Sequence, residues 1–340
     1  MNTPMSSLEN FPHFPVMMSE ILQTCNPIDG GLFVDCTFGG GSYTKELLKH
    51  PKTKVIALDR DKAAIDRAKI IKERNPENFL FFNEKFSNLD KVISKENKPN
   101  AIIFDLGLSM IQLQDYSRGF SFKSKAKIDM QMGLSFLSAE EVINTFDEKT
   151  LKLIIKIFGD EQEASKIAKN IIRKRKSKKI TNTSELVEII EKSKKRNYNK
   201  KINVCTKTFQ ALRIFVNKET TELIEGLIKA TQLVRDGGKI IVVSFHSIED
   251  KIVKYYFKTY SLNKSNPSRY LPSTNDKKIS FFENYQNKFL TPSQQEMIRN
   301  PASRSAKLRY VVRRKEGFVY PDNFRIKFKK YLDLENINDK

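Results

Sequence analysis

Four short apolar runs, each closed by a polar or turn residue, set the pattern of the first third of the chain: Leu32 to Asp35, Lys54 to Asp59, Phe79 to Phe82 and Ala101 to Asp105. Their apolar stretches are continuous, as expected of strands buried on both faces of a parallel sheet. Helical spacing fills the intervals. A short helix at Val16 to Leu22 leads into the first strand, Ser42 to Leu48 follows a run of glycines, and Lys62 to Glu73 follows the second strand. This alternation of strand and helix predicts an α/β fold built on a doubly wound parallel sheet.

From about Met132 the pattern changes, because helix signals follow one another without a strand between them. Ser138 to Glu141 reads as a capping box, and Asp147 caps a helix with the apolar stripe Leu151, Ile154, Ile155 and Phe158, which Gly159 is expected to stop. Further helices start at Glu161 and Thr183, and Phe209 to Val234 reads as helical throughout. The strand pattern then resumes at Lys239 to Ser244, with a last strand at Leu308 to Val312. The expected organisation is a core in two parts, 1–132 and 206–340, interrupted by an inserted helical domain at 133–205. Leu262 to Asn287, polar and Pro-containing, reads as a long surface loop.

Candidate chemistry sits at the ends of the strands. The first run opens into Phe38-Gly39-Gly40-Gly41, and the first, second and fourth runs end in Asp35, Asp59 and Asp105. An open α/β sheet binds its ligand beyond the carboxyl ends of its strands, so three acids are expected to face one crevice. Asp59, 24 residues beyond Asp35, stands where a nucleoside-binding fold places the acid that holds a ribose. The strand at 239–244 ends at Ser244-Phe245-His246-Ser247, which puts His246 on the same edge. Ser247 and Asp250 have capping-box spacing, and Ser109 and Ser244 are read as helix caps.

Charge changes the picture next. With 61 Lys and Arg against 40 Asp and Glu, the formal net charge of +21 favours a polyanionic partner, nucleic acid first. The charge is clustered: Arg173 to Lys179 holds six basic residues in seven, and Lys192 to Lys201 six in ten with Tyr198 among them. Both fall in the helical segment, where phosphate contact is the functional reading and solvated helix ends the bland one. A third group, Arg299, Arg304, Lys307, Arg309, Arg313 and Arg314, surrounds the last strand, and with that strand paired some of these side chains would face the same cleft. Phe209, Leu212 and Phe215 read as core, with Gln210 and Arg213 on a helix face that could reach RNA. Cys25, Cys36 and Cys205 are isolated, which argues against structural zinc and a disulfide framework, and no metal is expected. No membrane span or signal segment is evident, so a cytoplasmic setting is expected.

Two cofactors suit a strand, a glycine turn and a distal acid: a nicotinamide dinucleotide and S-adenosylmethionine. The loop lacks the third glycine of G-x-G-x-x-G, with Thr44 in its place. Asp35 is also poorly placed beside a pyrophosphate, whereas it suits the cationic end of a methyl donor. These residues favour S-adenosylmethionine.

At this point the chain resembles a family, the bacterial small-subunit rRNA cytosine-N4 methyltransferases called RsmH or MraW. The blocks that carry the resemblance are His13 to Glu20, Asp35 to Gly39, Asp105 to Ser109, Arg118 to Phe122, Thr208 to Ile214, Ser244 to Ser247 and Arg304 to Arg309, in that order. The resemblance implies a Rossmann-like class I SAM-dependent methyltransferase fold with an inserted helical RNA-binding domain. It implies that Gly41, Ser42 and Tyr43 contact the donor, that Asp59 binds the ribose hydroxyls, that Phe86 lies near the adenine, and that Asp105 with Gln112 completes the pocket. The partner implied is small-subunit rRNA or the small subunit itself, with a homodimer left open. The chain departs from the family pattern at Ser42-Tyr43, where Gly-His is common, at Met110, at Gln131 and at Ala302.

The chemistry implied is methyl transfer to the exocyclic amine of cytidine, a poor nucleophile that must be placed in line with the sulfonium. No covalent intermediate is needed, in keeping with the lack of a cysteine in a nucleophile setting. Asp105 is nominated as an acceptor near the reacting amine, and His246 as a proton acceptor or base contact, with a structural histidine as the bland reading. Asp129 is read either as part of a lid over the cofactor or as a turn residue. A nicotinamide-dependent Rossmann dehydrogenase and a non-catalytic RNA-binding ribosome assembly factor are the alternative functions.

Overall fold

The computed structural model describes residues 15–94, 96–194, 203–262, 279–283 and 285–337. Six strands among them form one sheet: β1 (Gly31–Asp35), β2 (Thr53–Leu58), β3 (Phe79–Phe82), β4 (Ala101–Asp105), β5 (Lys239–Ser244) and β6 (Lys307–Val312). Their order is β3-β2-β1-β4-β5-β6. All neighbours run parallel except β6, which is antiparallel to β5. Because β1 pairs with β2 on one side and β4 on the other, the winding reverses there, and a crevice opens beyond the carboxyl ends of these strands. This is the doubly wound, Rossmann-like arrangement expected from the strand pattern.

Helices α1 (Met18–Cys25), α2 (Ser42–Leu48), α3 (Ala64–Arg74), α4 (Leu89–Val92) and α5 (Met110–Gln114) accompany the first four strands. Between β4 and β5 the chain continues through α6 (Ala139–Thr145), α7 (Glu148–Gly159), α8 (Ala164–Ser177), α9 (Thr183–Ser193), α10 (Thr206–Asn217) and α11 (Glu219–Leu233). Helix α12 (Ser247–Thr259) follows β5, α13 (Gln294–Arg299) precedes β6, and α14 (Asp322–Lys327) and α15 (Lys329–Glu335) come last. Alternate strand residues enter opposite cores. Phe33, Val55 and Ile103 pack with Ile21, Leu47 and Ile71 of α1, α2 and α3, whereas Val34, Ile56 and Phe104 belong to a cluster that runs on through α7, α10, α11 and α12. Both faces of the central strands are thus covered, which is why β1, β4 and β5 are largely apolar.

Ser138 and Asp147 cap α6 and α7 as expected, and Leu151, Ile154, Ile155 and Phe158 are buried. Gly159, however, is the last residue of α7, and Asp160, with φ 48°, makes the left-handed cap. The glycine is needed for packing: a Cβ there would lie 2.4 Å from the carbonyl oxygen of Lys207 in α10. The expected single helix at 209–234 is broken by Lys218, also at φ 48°. Helical periodicity on both sides of a break without glycine or proline conceals it. Of the expected surface loop, residues 263–278 and 284 lie outside the described residues; Phe281 and Phe282 at its end are buried, with Phe282 bridged to Ser261 and Arg313. Their aromatic area is worth more against Tyr256, Phe257 and Tyr260 than in water. No helix of the described residues is long and apolar enough to cross a membrane.

Candidate active site

A cavity of about 310 Å³ lies at the carboxyl edge of the sheet. Ser42, Tyr43, Asp59, Phe86, Asp105, Gln112 and His246, all singled out in the sequence, line it. Gly41 does not. It is the N-cap of α2 with φ 73°, and a Cβ there would strike Ile71 and the ring of Phe38 at 2.7 and 2.8 Å. Its demand for glycine comes from the turn and from helix packing.

Asp35 also stays out of the cavity, which corrects the expectation of three acids facing one crevice. It is fully buried beneath the glycine loop, where its Oδ2 accepts from Thr44 Oγ1 at 2.8 Å and its Oδ1 from Thr37 N at 3.2 Å. Burial raises its pKa to about 6, against those hydrogen bonds. The last residue of a strand points to one face only, and this one points inward.

Asp59 is held at the rim. Its Oδ2 accepts from Gly39 N at 2.7 Å and its Oδ1 from Asp61 N at 2.8 Å, so the acid following β2 fixes the glycine loop that follows β1. Gly39 (φ 51°) is secured from its other end by Arg67 Nε, which donates to its carbonyl at 2.9 Å. Each Asp59 oxygen keeps further lone-pair capacity for a ligand hydroxyl. Phe86 stands edge-on to Phe104 with ring centroids 5.3 Å apart, leaving a half-buried apolar face.

Asp105 closes β4. Its backbone N donates to Thr37 Oγ1 at 2.8 Å, its Oδ2 lies 3.1 Å from the Tyr43 hydroxyl, and its Oδ1 is buried without a partner. Burial pushes its pKa up to about 8 and the charges of Asp35, Glu249 and Glu296 add to it; only a proton donated by Tyr43 to the carboxylate would oppose the rise.

His246 is the N-cap of α12, and the capping box is His246 with Glu249 instead of the expected Ser247 with Asp250. Its Nδ1 accepts from Glu249 N at 3.4 Å, while Glu249 Oε2 accepts from the backbone N of Phe245 at 2.8 Å and of His246 at 3.2 Å. The other carboxylate oxygen lies 3.0 Å from His246 Nε2, close enough for charge attraction but out of line for a hydrogen bond. A ring nitrogen can cap a helix as a hydroxyl does, and a reading confined to Ser, Thr, Asp and Asn misses it. Burial opposes the ionised Glu249, yet His246 and Arg213 hold its carboxyl below the usual range. Ser109 caps α5 as expected, but Ser244 ends β5 and donates to the Lys307 carbonyl at 3.4 Å.

The sequence reading missed five acids of the cavity lining, Asp61, Glu84, Glu219, Glu222 and Glu249. Asp61 accepts from Gln112 Nε2 at 2.8 Å and from Arg118, and Glu219 is forked by Arg213 at 2.7 and 2.8 Å. Arg213, expected to reach RNA, is thereby engaged inside the cavity wall. Glu249 completes the set, and its spacing of three from His246 was the available signal. Glu219, His246 and Glu249 bring one donor atom each within 4.8 Å of one another. Asp129 is not among the lining residues; its carbonyl accepts from Ala139 N at the start of α6.

The basic groups divide by burial. Arg173, Lys174 and Lys176 on α8 are exposed and take part in none of the described ion pairs, whereas Lys178 and Lys179 pair with Glu185 and Glu140. Residues 195–201 of the second cluster lie outside the described residues; Lys192 pairs with Glu188 and Lys194 with Glu161. Of the third group, some of whose side chains were expected to face the cleft, none lines the cavity, and Arg309 and Arg313 are buried elsewhere. Arg309 donates to Asp250 and Tyr285, and Arg313 to the carbonyls of Thr231 and Phe281. A guanidinium inside a protein must have its donors filled, and these are filled by the protein itself.

Comparison with known proteins finds that residues 10–314 match the family described as the MraW methylase family. The chain is 42% identical over 305 residues to ribosomal RNA small subunit methyltransferase H of Orientia tsutsugamushi (strain Ikeda), covering 87% of this chain and 96% of that protein. It is 40% identical over 304 residues to the protein of the same name from Ehrlichia canis (strain Jake), covering 88% and 99%. With the protein of that name from Rickettsia massiliae (strain Mtu5) it shares 41% identity over 301 residues, covering 87% and 96%.

Proposed function

The chain belongs to the MraW methylase family and is a methyltransferase, and we propose that it transfers a methyl group from S-adenosylmethionine to N4 of a cytidine in 16S rRNA of the small ribosomal subunit. The observation that carries the donor half is the pair of acids on one cavity wall. Asp59 is pinned at the end of β2, and Asp105 at the end of β4 keeps an unpartnered buried oxygen. These residues fit a ligand with a ribose diol and a cationic end. Asp59 would accept from the ribose hydroxyls and Phe86 would pack against the adenine. Ser42, Tyr43 and Gln112 complete the walls, and Gly41 acts through the turn that sets Ser42 and Tyr43.

S-adenosylmethionine, when bound, supplies an electrophilic methyl carbon on a sulfonium. The protein's own work is to place the acceptor amine in line and to receive the proton the amine loses. Asp105 is the proposed acceptor at the reacting centre. His246, its ring held by Glu249, is the proposed base contact or proton acceptor beside it. The exposed cations of α8 would hold RNA phosphates, which assigns RNA binding to the helical segment at 133–205. Names of the relatives support the small-subunit rRNA substrate, and a ribosomal substrate places the work in the cytoplasm. They lend no support to the dehydrogenase or to the non-catalytic assembly factor.

The test is nucleoside mass spectrometry of small ribosomal subunits lacking the modification, incubated with the protein and isotopically labelled S-adenosylmethionine. Labelled N4-methylcytidine is the expected product. Label on a different nucleoside, or none with an active donor site, would reject the cytidine N4 assignment.

A further inference from the structure

Tyr43 presents a proton-counting problem. Its hydroxyl oxygen lies 2.5 Å from the carbonyl oxygen of Val16 and 3.1 Å from Asp105 Oδ2. A carbonyl oxygen can only accept, so the single hydroxyl proton is committed to the shorter contact with Val16. The approach of Asp105 to the same oxygen then brings two lone pairs together unless the carboxyl carries a proton of its own. A protonated Asp105 can donate to the Tyr43 oxygen and remove that conflict. The surroundings agree: the charges of Asp35 on β1, Glu249 on α12 and Glu296 on α13 oppose ionisation of the carboxyl, and none of the described ion pairs gives it a cation. Tyr43 is 4% exposed, and Asp105, half-buried as a residue, keeps its Oδ1 out of solvent.

Resting on the donor reading above, we propose that Asp105 is a neutral acid in the free enzyme, its proton held by the Tyr43 hydroxyl, and that docking of the donor's cationic end expels this proton to solvent. The balance is simple: the carboxyl loses one proton, the resulting carboxylate pairs with the positive group that has entered, and the charge of the cavity is unchanged. Tyr43 is a positioning residue in this scheme. It sets the charge state in which Asp105 waits and touches no reacting atom. The site therefore selects a cation through the carboxylate formed on docking, against the cost of the proton given up.

Isothermal titration of S-adenosylmethionine into the full-length protein, in buffers of different ionisation enthalpy at pH 6.5, counts the protons released. At that pH Asp105, with its pKa near 8, is almost fully protonated, and the donor's α-amino group, with a usual pKa of roughly 8, is charged. Close to one proton per donor bound is expected, falling to near zero in Asp105→Asn. Heat that does not depend on the buffer would overturn the proposal while leaving donor binding intact. A count kept near one in Asp105→Asn would place the proton elsewhere and equally overturn it. No saturable heat in any buffer would remove the donor reading and this proposal with it.

Tyr43→Phe supplies an independent arm, since it tests the direction of the hydrogen bond. If the hydroxyl accepts from a neutral carboxyl, its removal destabilises the neutral form and moves the pH at which release fades to lower values. A shift to higher pH would mean that the hydroxyl had been donating to a carboxylate, and the proposal would be wrong.

Discussion

Arg118 Nη1 lies 2.5 Å from Asp61 Oδ2 and its Nη2 lies 2.6 Å from the carbonyl oxygen of Gln131, so one guanidinium joins the loop after β2 to the chain between α5 and α6. The acid also receives Gln112, which is itself locked by Ser109 in the capping box of α5. Asp61, Gln112 and Met132 all line the cavity. Arg118→Ala is therefore expected to loosen one cavity wall without removing a proposed donor contact. Loss of a charge-assisted fork corresponds to about 2 kcal/mol of stability and roughly a tenfold weaker donor affinity. Urea unfolding and donor titration of the same variant measure the two effects, and Arg118→Lys, which keeps the charge but not the fork, should recover only part of either.

Gly159→Ala should reverse the usual sign of a helix substitution. Alanine in place of glycine ordinarily favours a helix by about 1 kcal/mol. Here the added Cβ would sit 2.4 Å from a backbone oxygen of α10, which cannot rotate away, and 3.2 Å from Ala211 Cβ. A net loss of roughly 1–3 kcal/mol is expected from overpacking. A denaturant midpoint equal to or above that of the unmodified protein would show that α7 and α10 can separate freely.

Glu335 gives a pH dependence of stability. Its carboxylate oxygens accept from the backbone N of Thr220 and Thr221 at 3.1 and 2.8 Å at the start of α11, yet complete burial raises its pKa from 4.5 to about 7. With the folded-state value above the unfolded one, the folded state binds the proton more tightly. The stabilisation from protonation is full below about pH 4.5 and is lost as pH rises to about 7. The shift corresponds to at most about 3 kcal/mol. Glu335→Gln should remove this component, so the stability of the unmodified protein minus that of the variant should fall across the window. A difference that is flat with pH would show that the cap holds an ionised carboxylate throughout.

The exposed cations of α8 test RNA contact directly. Replacing Arg173, Lys174 and Lys176 with Gln should weaken RNA binding and flatten its salt dependence, by about 0.7 to 0.9 in logarithmic slope for each phosphate no longer neutralised. Donor affinity should not change, because none of the three lines the cavity. An unaltered salt slope would return them to the ordinary solvated helix surface.

The central strands β1, β4 and β5 were legible to within one residue at each end because a segment buried on both faces has to be largely apolar, and its sequence states this locally. The caps at Ser138 and Asp147 were legible for the same reason, since capping is settled within a few residues. Breaks such as Lys218 were hidden, because a left-handed residue between two amphipathic helices leaves no mark on the periodicity of either.

Around the cavity the division is similar. By itself the sequence determined the alternation of strands and helices, the acids that end β1, β2 and β4, the glycine turn and the net positive charge. Each is fixed by neighbours in the chain. Only the tertiary structure decided that Asp35 turns inward to Thr44 while Asp105 meets Tyr43, that Glu249 holds His246, and that Arg309 and Arg313 are consumed inside the protein. Asp105, Arg309 and Arg313 meet partners 59 to 82 residues away, and even the close pairs, nine residues apart for Asp35 and Thr44 and three for His246 and Glu249, take their direction and charge from how much water the packing leaves around them.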